Sequence, residues 1–154
     1  MPHCHPKNSY QNLFLTVPDR GFSKQELLQF INAWRSDYDF CEIVREPYAN
    51  PKAGPAFHYH VGLCFGSRVR IGKVMKACNK LKQFRGMDFR TPLVARGKSA
   101  HQIFGKYFRD PTKYKSLDEE PLLVRCRGPE PPIPQHLDPK WGQKMLDRLV
   151  WTVS

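Results

Sequence analysis

FHYHVGLCF, residues 57–65, reads as a strand in which Phe57, Tyr59, Val61, Leu63 and Phe65 share one parity. That parity is apolar and calls for burial against helices. The other parity carries His58 and His60, where a solvent-facing strand more often has Lys, Glu or Thr. Residues i and i+2 of a strand point to the same side, so both imidazoles can grip one ion. HxH is a weak signal alone, and two incidental surface histidines are the competing reading.

Support for an ion site comes from the stretch just upstream. Phe40–Glu46 (FCEIVRE) alternates as a second strand, and Pro47–Pro55, with three prolines, Asn50 and Gly54, forms a loop. If that loop returns the chain antiparallel, Glu46 faces the same side as His58 and His60. Two imidazoles and a carboxylate suit Mn²⁺, Mg²⁺ or Zn²⁺ and leave positions open for substrate oxygens. A surface ion pair is the other role open to Glu46.

Further outward, Tyr10–Val17 is a β-type run closed by the turn cluster Pro18–Gly21. Ser23 and Glu26 make a capping-box pattern ahead of Leu27, Phe30, Ile31 and Trp34, predicting a helix to about Ser36 or Asp37. Ile71, Val74, Met75, Cys78 and Leu81 mark a second helix, whose other face carries Lys73, Lys76, Lys80 and Lys82. Met87–Ala95 is strand-like, with Pro92 favouring an edge or a bulge. Ser99 can cap a third helix, AHQIFGKYF, which Asp110-Pro111 stops, and Leu122–Cys126 supplies a last strand. The order β-α-β-β-α-β-α-β predicts an α+β fold: an antiparallel sheet of about five strands with helices mainly on one face. The other face stays available for a ligand.

Residues 1–127 are expected to form this domain. GPEPPIP, residues 128–134, is a stiff spacer, and Pro139–Val150 has the spacing of a short docking or linker helix. Apolar residues make up 40% of the 154, enough for one core, and no run approaches the roughly 18 that would span a membrane. MPHCHPKNSY has no apolar signal-peptide core, and the five cysteines form no CxxC pair, so a reduced, intracellular protein is expected.

The formal charge is +11, and the Gly66–Lys115 stretch carries 14 basic residues against only Asp88 and Asp110. A field of that sign attracts polyanions and argues for nucleic acid rather than a membrane surface. A metal in such a protein can polarise a phosphodiester, and the chemistry then needs a nucleophile. Tyr107, flanked by Lys106 and followed by Arg109, is the favoured candidate because cations favour the phenolate. Tyr107 could equally join Ala100, Ile103 and Phe104 in a core stripe, and spacing alone does not separate the two.

Taken together, FLTV at 14–17 within LFLTVP, HYH at 58–60 and the helix-borne Tyr107 resemble the three motifs of HUH-type rolling-circle replication initiators. The likeness is to the Rep endonuclease domains of circular single-stranded DNA viruses and related plasmids. EPYANPKAGPAFHYHVGLCF keeps the family's order of acid, Gly-x-Pro-like turn and histidines, with a longer loop. The resemblance covers about residues 10–115. It implies that Glu46, His58 and His60 bind Mg²⁺ or Mn²⁺. It also implies that Tyr107 attacks a phosphate of single-stranded origin DNA, stays linked to the 5′ end and frees a 3′ hydroxyl, with reversal joining ends. A eukaryotic viral source would imply the host nucleus.

One position departs from the family pattern. Its third motif is usually YxxK, and here the residue three after Tyr107 is Asp110. Lys106, Arg109 and Lys113 are near enough in sequence to substitute, Lys113 being the first choice, with Tyr114 the second-choice nucleophile. Members often carry a helicase after the nuclease. This chain has no GxxxxGK[ST] loop, so no ATPase activity is expected of it, and its final helix would lead toward an oligomerisation region. The alternative function is a non-catalytic origin- or nucleic-acid-binding module on a similar sheet, although an RRM-type RNP1 signature is absent. A structural zinc site at His3, Cys4 and His5, in a tail expected to be mobile, is a third reading.

Overall fold

A computed structural model describes residues 1–48, 54–96, 99–108 and 121–127. Its elements follow the predicted order: β1 (Ser9–Pro18), α1 (Lys24–Trp34), β2 (Tyr38–Pro47), β3 (Phe57–Arg70), α2 (Gly72–Lys80), β4 (Asp88–Arg90), α3 (Ala100–Phe108) and β5 (Leu122–Cys126), with a 3₁₀ turn at Lys82–Phe84. The five strands form one antiparallel sheet in the order β4-β1-β3-β2-β5. The HYH strand is therefore central. The expected spacer at 128–134 and helix at 139–150 lie outside the described residues.

Local chemistry sets the ends of these elements. Asp19 Oδ1 accepts the Gly21 N–H at 2.9 Å, and Gly21 takes φ +100°, a left-handed turn that favours glycine. Ser23 Oγ then accepts the Glu26 N–H at 3.1 Å as the N-cap of α1. The helix stops at Trp34, two or three residues earlier than expected, because Arg35 turns extended (φ −152°, ψ 132°) to feed β2. Ser99 and Gln102 cap α3 reciprocally, each backbone N–H reaching the other's side chain at 3.3 Å.

Three further differences from the sequence reading have physical causes. The strand expected over Met87–Ala95 shrinks to Asp88–Arg90; Pro92 lies outside the ladder, where its missing N–H breaks no sheet bond. The N-terminal segment is tied alongside β4: Cys4 N–H donates to Phe89 O, Thr91 N–H donates to Pro2 O, and His3 bridges Arg90. The third difference is that both sheet faces are covered. α1 and α2 pack with Leu13, Ile43, Val61 and Leu63 on one side, as the alternation required. α3 crosses to the other, where Phe104 and Phe108 pack on Phe14, Phe40, Val44 and Cys64. Two of three helices thus share one face, but the histidine face is only partly open.

All five cysteines are free thiols, four of them buried. Burial and the Asp88 carboxylate push Cys4 up to about 11, burial pushes Cys78 up to about 12, and Cys41 and Cys64 are also raised, chiefly by burial. At pH 8 only about one Cys4 thiol in a thousand is then a thiolate, the reactive form. Iodoacetamide at that pH should leave the native protein nearly unmodified and alkylate all five thiols in denaturant, read by mass spectrometry. Rapid labelling of native protein would contradict the packing around these residues.

Candidate metal centre and phenol

Strand register assembles the site. Glu46 on β2 lies opposite His58 on β3, so both project to the same face. One step along, a row runs Val44, His60, Thr16 and Asp88 across β2, β3, β1 and β4. Glu46 Oε1 lies 2.7 Å from His60 Nε2 and 3.7 Å from His58 Nε2, and the two Nε2 atoms are 2.9 Å apart. All three residues are buried, at 7–9% exposure. Among the described residues, this is the group of three metal-ligating side chains whose donor atoms come within 4.8 Å of one another. His3, Cys4 and His5 form no such group, and His3 Nδ1 instead meets Asp88 Oδ1 at 3.1 Å.

The arrangement fits a divalent cation. Neighbouring ligands of an octahedral ion with bonds of about 2.1 Å sit roughly 3 Å apart, close to the separations found here. Thr16 Oγ1 lies 2.9 Å from His60 Nδ1. With that Nδ1–H donating to Thr16, the Nε2 lone pair faces the centre, the outer-shell pattern usual for metal-binding histidines. Three electron-rich atoms this close in a buried site repel one another unless a proton or a metal ion lies among them. Burial alone would raise the Glu46 carboxyl. Hydrogen bonds and charge from His58 and His60 outweigh it and hold the group well below the usual carboxylate range.

Tyr107 is brought to this centre from α3. Its ring stands edge-on to His60, with centroids 5.9 Å apart at 84°, and edge-on to Phe14 at 5.1 Å. It is half-buried and lines a cleft of about 320 Å³ together with Met1, Phe14, Thr16, His60, Asp88 and Arg90. The core-stripe and active-site readings of Tyr107 are therefore compatible: one side packs on Phe14 while the residue borders the cleft. Lys113 and Tyr114 lie outside the described residues, as do Arg109, Asp110 and the side chain of Lys106.

Sequence reasoning missed four contributors. Thr16 shares the parity of Phe14, opposite that of Leu13, Leu15 and Val17, and the pairing of β1 with β3 puts it on the histidine face. Tyr48, with its ring 4.4 Å from that of His58, backs the centre on the other side, and burial raises its phenol, with Arg20 opposing. Asp88 and Arg90 reach the cleft only through the pairing of β4 with β1, which no spacing in the sequence announces.

Mn²⁺ added to metal-free protein at about 100 times its dissociation constant should stabilise the fold by about 2.7 kcal/mol, raising Tm by roughly 5–10 °C. The His60→Ala variant should show no such rise in thermal melts. An equal rise in the variant would place the ion elsewhere. Compared with protein-family models, with curated proteins and with solved structures, the chain matches none.

Proposed function

We propose that the protein is a metal-dependent endonuclease and strand-joining enzyme acting on single-stranded DNA, in the manner of an initiator of rolling-circle replication. The observation that carries this reading is the meeting of Glu46, His58 and His60 with the phenol-bearing helix α3 on one sheet face. The chain's +11 charge favours a polyanionic substrate.

Glu46, His58 and His60 would hold the divalent ion, Mg²⁺ or Mn²⁺, which when bound would supply charge to polarise the phosphoryl oxygens of the strand. Thr16 Oγ1, 2.9 Å from His60 Nδ1, holds the ring in orientation, and with Nδ1–H as the donor it leaves Nε2 free to face the ion. Phe14 and the helix beneath fix the Tyr107 ring, so little orientational freedom is lost when the strand arrives. The Tyr107 oxygen forms a bond to phosphorus as the bond from phosphorus to the 3′ oxygen breaks. The phenolic proton is lost to solvent and the departing 3′ oxygen takes one up, leaving a 5′-phosphotyrosine and a free 3′ hydroxyl. The reverse reaction rejoins the strand without ATP because the phosphotyrosine bond retains the energy of the diester.

The test is to incubate the protein and Mn²⁺ with a labelled pool of single-stranded oligonucleotides bearing a randomised core, then look for an adduct that survives denaturing electrophoresis. An adduct that forms with Mn²⁺ and not with chelator is expected, and recovery of the joined strands would identify the preferred sequence. Metal-independent binding without any adduct would overturn the reading in favour of a non-catalytic nucleic-acid-binding module.

A further inference from the structure

Arg90 lines the same cleft, one strand away from Phe14 and two from Gly62. Its Nε donates to Asp88 Oδ2 at 2.7 Å, and Nη1 donates to the Met1 carbonyl at 3.3 Å. Asp88 in turn meets His3 Nδ1 through its other oxygen. These bonds aim the guanidinium and leave Nη2 unengaged among the described residues. The pair is about one-third exposed, at 39% for Arg90 and 34% for Asp88. As an isolated surface ion pair it would contribute little to stability.

Its place matters more than its strength. Among the described side chains lining the cleft, Arg90 is the one carrying a fixed positive charge, and it shares that cleft with His60 and Tyr107. A guanidinium held by one carboxylate is a preorganised donor for phosphate oxygens. Resting on the reading above, we propose that Arg90 is a phosphate-binding residue of this site. Arg90 contacts the scissile phosphate or its immediate neighbour, and Asp88 serves as its positioning residue. The cation serving the reacting phosphate then comes from β4, whereas the position of the family's lysine is held here by Asp110.

Two measurements test this, one independent of nicking. With wild type, Arg90→Ala and Arg90→Lys kept in chelator, the affinity for an oligo-dT strand is measured against salt concentration. Loss of one phosphate contact should lower the slope of log affinity against log salt by about 0.7 in Arg90→Ala, with Arg90→Lys close to wild type. An unchanged slope would overturn the proposal whether or not the protein nicks DNA. In the adduct assay at saturating strand, Arg90→Ala should be about 10²–10³-fold slower, with Arg90→Lys intermediate and Mn²⁺ affinity unaltered. An Arg90→Ala rate near that of an active wild type would also overturn it, leaving the endonuclease reading intact. A wild type that makes no adduct would count against that reading instead, and the salt slope would still decide on Arg90.

Discussion

The Tyr107→Phe variant is expected to form no covalent adduct with single-stranded DNA, while Mn²⁺ still raises its Tm as in wild type. The substitution removes one oxygen and keeps the ring that packs edge-on against Phe14 and His60. Stability should therefore change by less than about 1 kcal/mol. Strand binding in chelator should also persist, because the cationic surface is untouched. This combination separates loss of a nucleophile from loss of a fold or of a metal. An adduct surviving in Tyr107→Phe would assign the attack to a different phenol. Tyr48, whose ring lies tilted against that of His58, would be tested next by Tyr48→Phe, alongside Tyr114. Burial raises the Tyr48 phenol, which disfavours its ionised, nucleophilic form.

The centre depends on sheet register more than on any single residue. Glu46 meets His58 because β2 and β3 pair without a slip from Phe40 to Pro47. A shift of one residue would turn Glu46 to the opposite face and bring Arg45 to the histidines. Arg45 counters that slip on its own side of the sheet. Its Nε donates to Asp19 Oδ2 at 2.8 Å and its guanidinium lies 3.8 Å over the Phe57 ring. The carboxylate on one face is thus held in place partly by an ion pair and a cation–π contact on the other.

The shared face of the histidines was legible in the sequence because alternation is local: apolar Val61 and Leu63 fix the parity, and His58 and His60 follow, while the place of Glu46 depended on β2 and β3 pairing antiparallel. Much of the element order was legible for the same reason, since the helices and longer strands carry their own periodicity, with side-chain caps at α1 and α3. The side of the sheet on which α3 packs was not, because an amphipathic helix shows which of its faces is apolar and not which surface receives it. The clue lay in the histidine parity itself. Gly62 and Cys64 are too small for an exposed strand face and leave room for aromatic rings from above. Glu42 shows the cost of missing this: it alternates like a solvent-facing acid, yet it is fully buried beneath that layer. The part played by β4 was unreadable for a different reason, since three residues carry no period and their neighbours are set by long-range pairing.

Gly62→Ala is the substitution that tests this layer. A β-carbon at Gly62 would lie 2.9 Å from Phe104 Cγ and 3.1 Å from Phe108 Cε2, closer than carbon atoms pack. Phe104 is completely buried and stacked between Phe14 and Phe40, so its ring has nowhere to turn. The added methyl must instead lift α3, and overpacking of this kind costs about 1–3 kcal/mol. Tm should fall by roughly 2–10 °C accordingly. Tyr107 rides on the same helix between Phe104 and Phe108, whereas Glu46, His58 and His60 belong to the sheet. Mn²⁺ affinity should therefore hold within a few-fold while adduct formation drops by about 100-fold, the usual penalty for displacing a reacting group by an ångström. Adding Phe104→Leu to Gly62→Ala makes room beneath the helix and should recover part of the rate. If Gly62→Ala nicks DNA as fast as wild type, α3 is not what sets Tyr107 against the metal centre. If it loses rate and metal binding together, the two halves of the site are one cooperative unit, and the phenol cannot be moved without the histidines.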